Sequence, residues 1–200
     1  RGKALELLRT ETPVYTPNAG IPLLREAIAK LHPDYTASSV CVCNGVEEAL
    51  FVSMLALLNP GDCVAIPDPD FELWAKLLTA DVKALVFSHP SNPAGHVFSE
   101  EEAERLAKLC AELGIVMIVD GIYDRLVFTG SVPEFYGHSA GLFILGGMSK
   151  SHCMSGWRIG WTLAPPELAE AVVKALQYVS TCSNWLSQQL AMYALSDEGL

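Results

Sequence analysis

No apolar run in this chain reaches the length of a membrane-spanning helix; the longest, such as Gly114 to Val119, stop within strand length. Charge is scarce at 18% of residues, and acids prevail among the few, leaving a formal net charge of −10. A surface of that sign repels nucleic acid and anionic lipid, so neither is expected as a partner. No CxxC pair occurs among Cys41, Cys43, Cys63, Cys110, Cys153 and Cys182. Cys41 and Cys43, two apart on one expected strand, suit neither a disulfide nor a zinc site, so buried free thiols in a reducing cytosol are the expectation. His32, His89, His96, His138 and His152 show no metal-ligand spacing. The glycine patterns of dinucleotide and nucleoside-triphosphate sites are missing, as is the G-x-S-x-G elbow of serine hydrolases. A Ser-x-x-Lys nucleophile fails too, since Gly147 stands three residues before Lys150. Arg1 to Arg9 reads as a charged amphipathic helix without a signal-peptide cleavage pattern, and a cytoplasmic location is the expectation. There is no internal repeat and no low-complexity linker.

What is present is enough apolar material for a large interior: half of 200 residues are hydrophobic. Val40 to Cys43, Cys63 to Ile66, Ala84 to Phe87, Ile115 to Val119, Leu142 to Leu145 and Ile159 to Leu163 read as strands. Several are continuous apolar runs, as expected when helices cover both faces of a sheet. The segments between them carry helix-end signals. Ser99 with Glu102 forms a capping box and Gly114 closes that helix, while Pro60-Gly61 ends the helix starting near Val46. Pro165-Pro166-Glu167 opens the last long helix. The expectation is an α/β fold, a doubly wound, mostly parallel sheet with helices on both faces and its ligand at the carboxyl ends of the strands.

Chemistry-bearing residues fall at those strand ends in order. Asn44-Gly45-Val46-Glu47 turns into a helix after the first strand, and a helix start offers N–H groups and a positive dipole end to a phosphate. Pro67 to Phe71 follow the second strand, Ser88 to Gly95 with Asn92 the third, and Asp120-Gly121-Ile122-Tyr123 the fourth. After the fifth come Gly146-Gly147-Met148-Ser149-Lys150, then Ser155-Gly156-Trp157-Arg158. A lysine there can link to a carbonyl cofactor, and a nearby arginine can hold a phosphate by paired hydrogen bonds. Singly these signals are bland: Asn-Pro suits any turn, an acid at a strand end caps helices, and an isolated aromatic packs. Their order and spacing carry the argument.

Together the segments resemble the large domain of fold-type I pyridoxal-phosphate enzymes, in particular aminotransferases of the aspartate and tyrosine type. Tyr15-Thr16-Pro17-Asn18-Ala19-Gly20 followed by Leu24-Arg25-Glu26-Ala27-Ile28 matches a further family segment, and the likeness runs from about Tyr15 to Leu195. The resemblance implies the cofactor pyridoxal 5'-phosphate, bound as a Schiff base on Lys150, which then acts as the general base. It implies that Asp120 pairs with the pyridinium nitrogen, that Asn92 and Tyr123 bond the phenolic oxygen, and that Phe71 stacks on the ring. Arg158, the Gly45–Val46–Glu47 helix start and Ser149 would hold the phosphate, and Tyr15 would reach the phosphate of a neighbouring subunit in a homodimer with shared sites. Thr181-Cys182-Ser183-Asn184 matches a segment near the partner's cofactor. The implied substrates are an amino acid and a 2-oxo acid, exchanging an amino group by a ping-pong scheme.

The chain departs from the family pattern at Gly121, where a glutamate is common, and at Gly147, where a serine is common. Between Leu78 and Val82 it is shorter by a segment expected to hold an edge strand. The family's C-terminal small domain is expected to be missing from these 200 residues, so open apolar surface is expected at the final helices. The expected divisions are 1–35, an N-terminal helical segment and dimer contact; 36–165, the cofactor-binding core; and 166–200, helices leading towards that domain. Two alternatives stand beside aminotransfer: a non-catalytic, dimerising cofactor-binding module, and a related lyase or synthase using the same cofactor residues.

Overall fold

A computed structural model describes residues 2–66, 78–133, 135 and 141–196. Among the described residues six strands form one sheet: β1 (Val40–Cys43), β2 (Cys63–Ala65), β3 (Val82–Ser88), β4 (Val116–Asp120), β5 (Leu142–Gly147) and β6 (Gly160–Leu163), in the order β1-β6-β5-β4-β3-β2. The run from β5 to β2 is parallel, whereas β6 lies antiparallel between β5 and β1. The helices are α1 (Gly2–Thr10), α2 (Pro22–Ala29), α3 (Val46–Leu57), α4 (Glu100–Leu113), α5 (Pro166–Val179) and α6 (Trp185–Ala194).

Helices cover both faces, so most side chains of the inner strands are buried whichever way they point. Val40 and Val42 face α1, α2 and α6, and Met117 and Val119 face α4. Cys41, Cys43, Ile118, Phe143 and Leu145 face α3 and α5 on the other side. The period-two alternation therefore assigns each strand-end residue to a face. Helix ends follow the expected chemistry. Ser99 Oγ accepts the Glu102 N–H at 3.2 Å while the Glu102 carboxylate accepts the Ser99 N–H at 2.8 Å, and Gly114 ends α4 at φ 70°. Pro166 opens α5, and α3 stops at Leu57, just ahead of the Pro60-Gly61 turn.

The cysteines need a correction. Cys41, Cys43 and Cys110 are buried free thiols as expected, but Cys63 and Cys153 are exposed and Cys182 is half-buried. Cys63 opens β2, the last of the described strands in the sheet order, and Cys153 sits on a loop at φ 53°. Both places face solvent.

Two buried polar side chains organise the interior. Gln188 on α6 is fully buried: its Oε1 accepts the Ile21 N–H at 2.8 Å, and Nε2 donates to Thr16 Oγ1 and the Ser183 carbonyl, both at 2.9 Å. That one amide fastens the segment before α2 to the segment before α6. His89, just past β3, stacks on Phe98 with ring centroids 4.9 Å apart, and its Nε2 accepts the Phe98 N–H at 3.0 Å.

Burial lowers the His89 pKa to about 4, with His96 adding to the effect, and burial with Arg125 nearby lowers His32 to about 4 as well. A histidine held neutral in the fold binds fewer protons than in the unfolded chain between pH 6.5 and 4, so stability falls as pH falls through that window. From pH 7 to pH 5 each such histidine should remove roughly 2 kcal/mol. Urea unfolding at the two pH values checks this, and His89→Gln should flatten the dependence. A midpoint unmoved between them would contradict the burial argument.

Candidate active site

The parallel strands β3, β4 and β5 end together: Ser88 pairs with Asp120, and Asp120 with Leu145. The exit turns are tied across, with the His89 N–H donating to the Asp120 carbonyl at 2.9 Å and the Gly121 N–H to the Leu145 carbonyl at 2.8 Å. The residues expected after each strand therefore meet. Asn92 Nδ2 donates to Tyr123 Oη at 3.4 Å, and the Asn92 backbone is held by Ser88 Oγ at 2.9 Å. Lys150 Nζ lies 5.6 Å from the centre of the Tyr123 ring.

Asp120 shares its sheet face with Ile118, on the α3 side. One carboxylate oxygen accepts the Ile122 N–H at 3.0 Å, and no cation lies within salt-bridge reach among the described residues. Burial raises its pKa, Glu47 raises it further, and Lys150 together with the Ile122 bond pulls it down. A half-buried carboxylate in that position gains from a positively charged donor placed against it.

Across from this cluster stands the start of α3. Gly45 takes φ 99° as N-cap and no side chain caps the helix, so its first N–H groups stay free for an acceptor. A Cβ at Gly45 would collide with the Arg158 guanidinium, with Nη2 the nearest atom. Arg158 itself is left-handed at φ 49°, and Nη1 donates to the Ser155 carbonyl at 3.0 Å. That conformation costs a non-glycine residue about 1–2 kcal/mol and has to be held by its surroundings. Gly160 explains how the turn lies so close to β6: a Cβ there would sit 2.8 Å from Gly45 C and Val46 N.

The lysine and the arginine share one loop between β5 and β6. Met148, Met154 and Ile159 anchor it in the core, and Ser187 Oγ on α6 donates to the Trp157 carbonyl at 2.6 Å. Lys150 and Arg158 are exposed on this anchored frame, and Ser149 is half-buried. The glycine at 147 has a steric reason, since a Cβ would meet Ile122 Cδ1 at 3.1 Å and Val46 Cγ2 at 3.2 Å.

Asp120, Tyr123, Asn92 and Lys150 are thus brought together, and Gly45, Val46 and Glu47 with Arg158 form the facing cradle. Tyr15 does not join them; it is 88% exposed, although the neighbouring Thr16 is fixed by Gln188. Phe71 lies outside the described residues. Thr181, at φ 66°, accepts Asn18 Nδ2 at 2.8 Å, and Asn184 caps α6 by accepting the Ser187 N–H at 3.0 Å. Sequence reasoning gave no role to Gln188; its signal was a lone amide on the core-facing side of α6. Among the described residues there is no His, Cys, Asp and Glu group able to hold a metal.

This geometry accepts the group expected from the sequence. It offers an amine, a carboxylate that gains from a cationic N–H, two side chains with polar hydrogens, and an uncapped helix start beside an arginine.

The sequence pattern of the family described as aminotransferase class I and II matches in two stretches, residues 3–80 and 70–200. The chain belongs to this family. The aspartate aminotransferase of Thermotoga maritima is 32% identical over 230 aligned positions, covering 96% of this chain and 61% of that enzyme. A probable N-acetyl-LL-diaminopimelate aminotransferase of Bacillus subtilis is 31% identical over 92% of this chain and 56% of its own length. A double mutant of Thermus thermophilus aspartate aminotransferase superposes with a TM-score of 0.91 at 29% identity, over 98% of this chain and 61% of that one. This aminotransferase-family chain therefore spans about 60% of the relatives it matches. An alignment of 230 positions to a chain of 200 residues also leaves gaps on this side, and the two matched stretches meet at residues 70–80. Class I and II aminotransferases of the aspartate type use pyridoxal 5'-phosphate. No described helix is long and apolar enough to cross a membrane.

Proposed function

We propose that this chain carries the cofactor-binding part of an aminotransferase, moving an amino group between an amino acid and a 2-oxo acid. The observation that carries the reading is the convergence of Lys150, Asp120, Tyr123 and Asn92 at adjoining strand ends, opposite Arg158 and the α3 start. Bound there, pyridoxal 5'-phosphate supplies an aldehyde that links to amines and a ring that takes up the electron pair left at an α-carbon. Lys150 Nζ would take the aldehyde carbon with loss of water, would be displaced by the amino group of the incoming amino acid, and as a free amine would then remove the proton from that amino acid's α-carbon. The Asp120 carboxylate holds a proton at the ring nitrogen, and the raised pKa from burial is offset once that cationic N–H faces it. Tyr123 Oη and Asn92 Nδ2, already in contact, orient the ring oxygen. Arg158 and the Gly45, Val46 and Glu47 N–H groups take the phosphate, with Ser149 beside them.

The partner is a second copy of this chain. Phe51 and Leu55 on α3 are 52% and 53% exposed, and Tyr178 at the end of α5 is 89% exposed. These apolar side chains lie on the two helices that border the cradle, and an apolar surface of this kind suits association. Tyr15, open to solvent on a fixed segment, is free to serve a neighbour's site. The exposed thiols of Cys63 and Cys153 suit a reducing cytoplasm.

A second reading, a cofactor-binding module without turnover, uses the same cradle and the same residues. One experiment separates the two. The chain is loaded with pyridoxal 5'-phosphate, freed of excess, and given L-aspartate alone while the visible spectrum and released oxaloacetate are followed. Aminotransfer predicts conversion to the amine form with one oxo acid released per site. Binding without conversion, by aspartate or other L-amino acids, would leave the module reading standing.

A further inference from the structure

The turn that opens α3 is braced by a side chain that the cofactor reading leaves unused. Glu48 is the third residue of α3, where a glutamate ordinarily reaches back to the N-cap N–H. Here it reaches one residue further. Oε2 accepts the Asn44 backbone N–H at 2.6 Å, and the two carboxylate oxygens accept Asn44 Nδ2 at 2.9 and 3.2 Å. With its amino group turned to the carboxylate, the Asn44 amide presents its oxygen the other way. Asn44 Oδ1 there accepts the Asn184 N–H at 3.0 Å, and Nδ2 also comes within 3.5 Å of Ser180 Oγ. The donor and acceptor inventory permits only this orientation, since a carboxylate accepts and a backbone N–H donates.

Glu48 thus fixes Asn44, and Asn44 ties the Gly45 turn to the segment between α5 and α6. On its other side the same turn rests on Gly160 and Arg158. Yet the acid stands in the first turn of a helix whose free N–H groups face an anion, where its charge repels a phosphate. Coulomb repulsion and bracing therefore predict opposite consequences of removing it.

We infer that Glu48 is a positioning residue for the phosphate cradle, aiming the Gly45 and Val46 N–H groups through Asn44. This rests on the cofactor reading above. A leucine at position 48 is neutral and offers the Asn44 donors no acceptor, so it removes the charge and the brace together. Glu48→Leu should weaken binding of pyridoxal 5'-phosphate about tenfold or more, the effect of losing one to two charged hydrogen bonds' worth of alignment. Pyridoxal, which lacks the phosphate, should link to Lys150 within twofold of the parent. Asn44→Asp approaches the brace from its other partner, setting carboxylate against carboxylate, and should show the same split. Both aldehydes are titrated by visible absorbance, and inorganic phosphate by competition and by calorimetry, with circular dichroism checking the fold.

Tighter phosphate binding in Glu48→Leu would overturn the inference in favour of simple repulsion. Equal weakening towards both aldehydes would overturn it in favour of general loosening. If the parent chain links to neither aldehyde, the cofactor reading fails. Inorganic phosphate then still decides the role of Glu48: weaker binding supports it, and unchanged or tighter binding overturns it.

Discussion

Lys150→Ala should abolish covalent attachment of pyridoxal 5'-phosphate while leaving the fold intact. The side chain is exposed, carries no hydrogen bond among the described residues and approaches the Tyr123 ring and the Asp120 charge, so its removal should change stability by no more than about 0.5 kcal/mol. Its chemical loss is complete by comparison. The nearest alternative cations near the cluster, such as Arg158, cannot form the link, because a guanidinium has no free amine. Loss of the proton-moving group should cost at least 10²–10⁴ in any amino-acid conversion. Borohydride reduction followed by peptide mass mapping reads the result directly. Label on the peptide containing residue 150 in the parent, and none in the variant, is the expected outcome. Label persisting on another lysine would remove Lys150 from the assigned role.

Gly45→Ala should show the second large effect, in two quantities at once. At φ 99° an alanine carries backbone strain of about 1–2 kcal/mol, and its Cβ would occupy the space of the Arg158 guanidinium. Unfolding should therefore shift by about 1–3 kcal/mol, as for an overpacked site. Displacing Arg158 should also forfeit a charged hydrogen bond to the phosphate, so affinity should drop by about 10- to 100-fold. Arg158→Ala should produce a similar affinity loss without the strain. Combining the two should add little to the affinity loss, since both act on the same guanidinium. Fully additive losses would show that Gly45 and Arg158 contribute separately.

Much of the fold was legible because a sheet covered on both faces writes its strands as unbroken apolar runs. β1 was read at its full extent, and β3, β4, β5 and β6 to within two residues at each end. The site was legible for a related reason: in an α/β fold the residue after a strand is by construction at the ligand edge. Lys150, Asp120, Tyr123 and Asn92 needed only that rule and a family resemblance to be placed together. What the sequence withheld depends on non-local partners. Nothing in Gly160 to Leu163 announces that β6 runs antiparallel between β5 and β1, because pairing order is set by distant chain. Cys63 reads like any strand residue, and its exposure follows from the place of β2 in the sheet order. Glu48 had a local signal, the glutamate spacing of a helix start, but its true acceptor role one residue back is a matter of turn geometry.

The antiparallel placement of β6 also decides what sets the gauge of the site. Lys150 and Arg158 lie on one excursion of chain whose mouth is fastened by the facing pair Gly147 and Gly160. Crossing bonds from Met148 to Ile159 at 3.4 Å and from Met154 to Met148 at 3.1 Å brace it from within. The two groups proposed to grip opposite ends of one molecule are therefore jaws of a single calliper, machined from a short continuous piece of backbone. Their separation depends on that local loop and the core beneath it. Domain closure elsewhere in a larger protein could tilt or cover this tool, but would leave its opening unchanged.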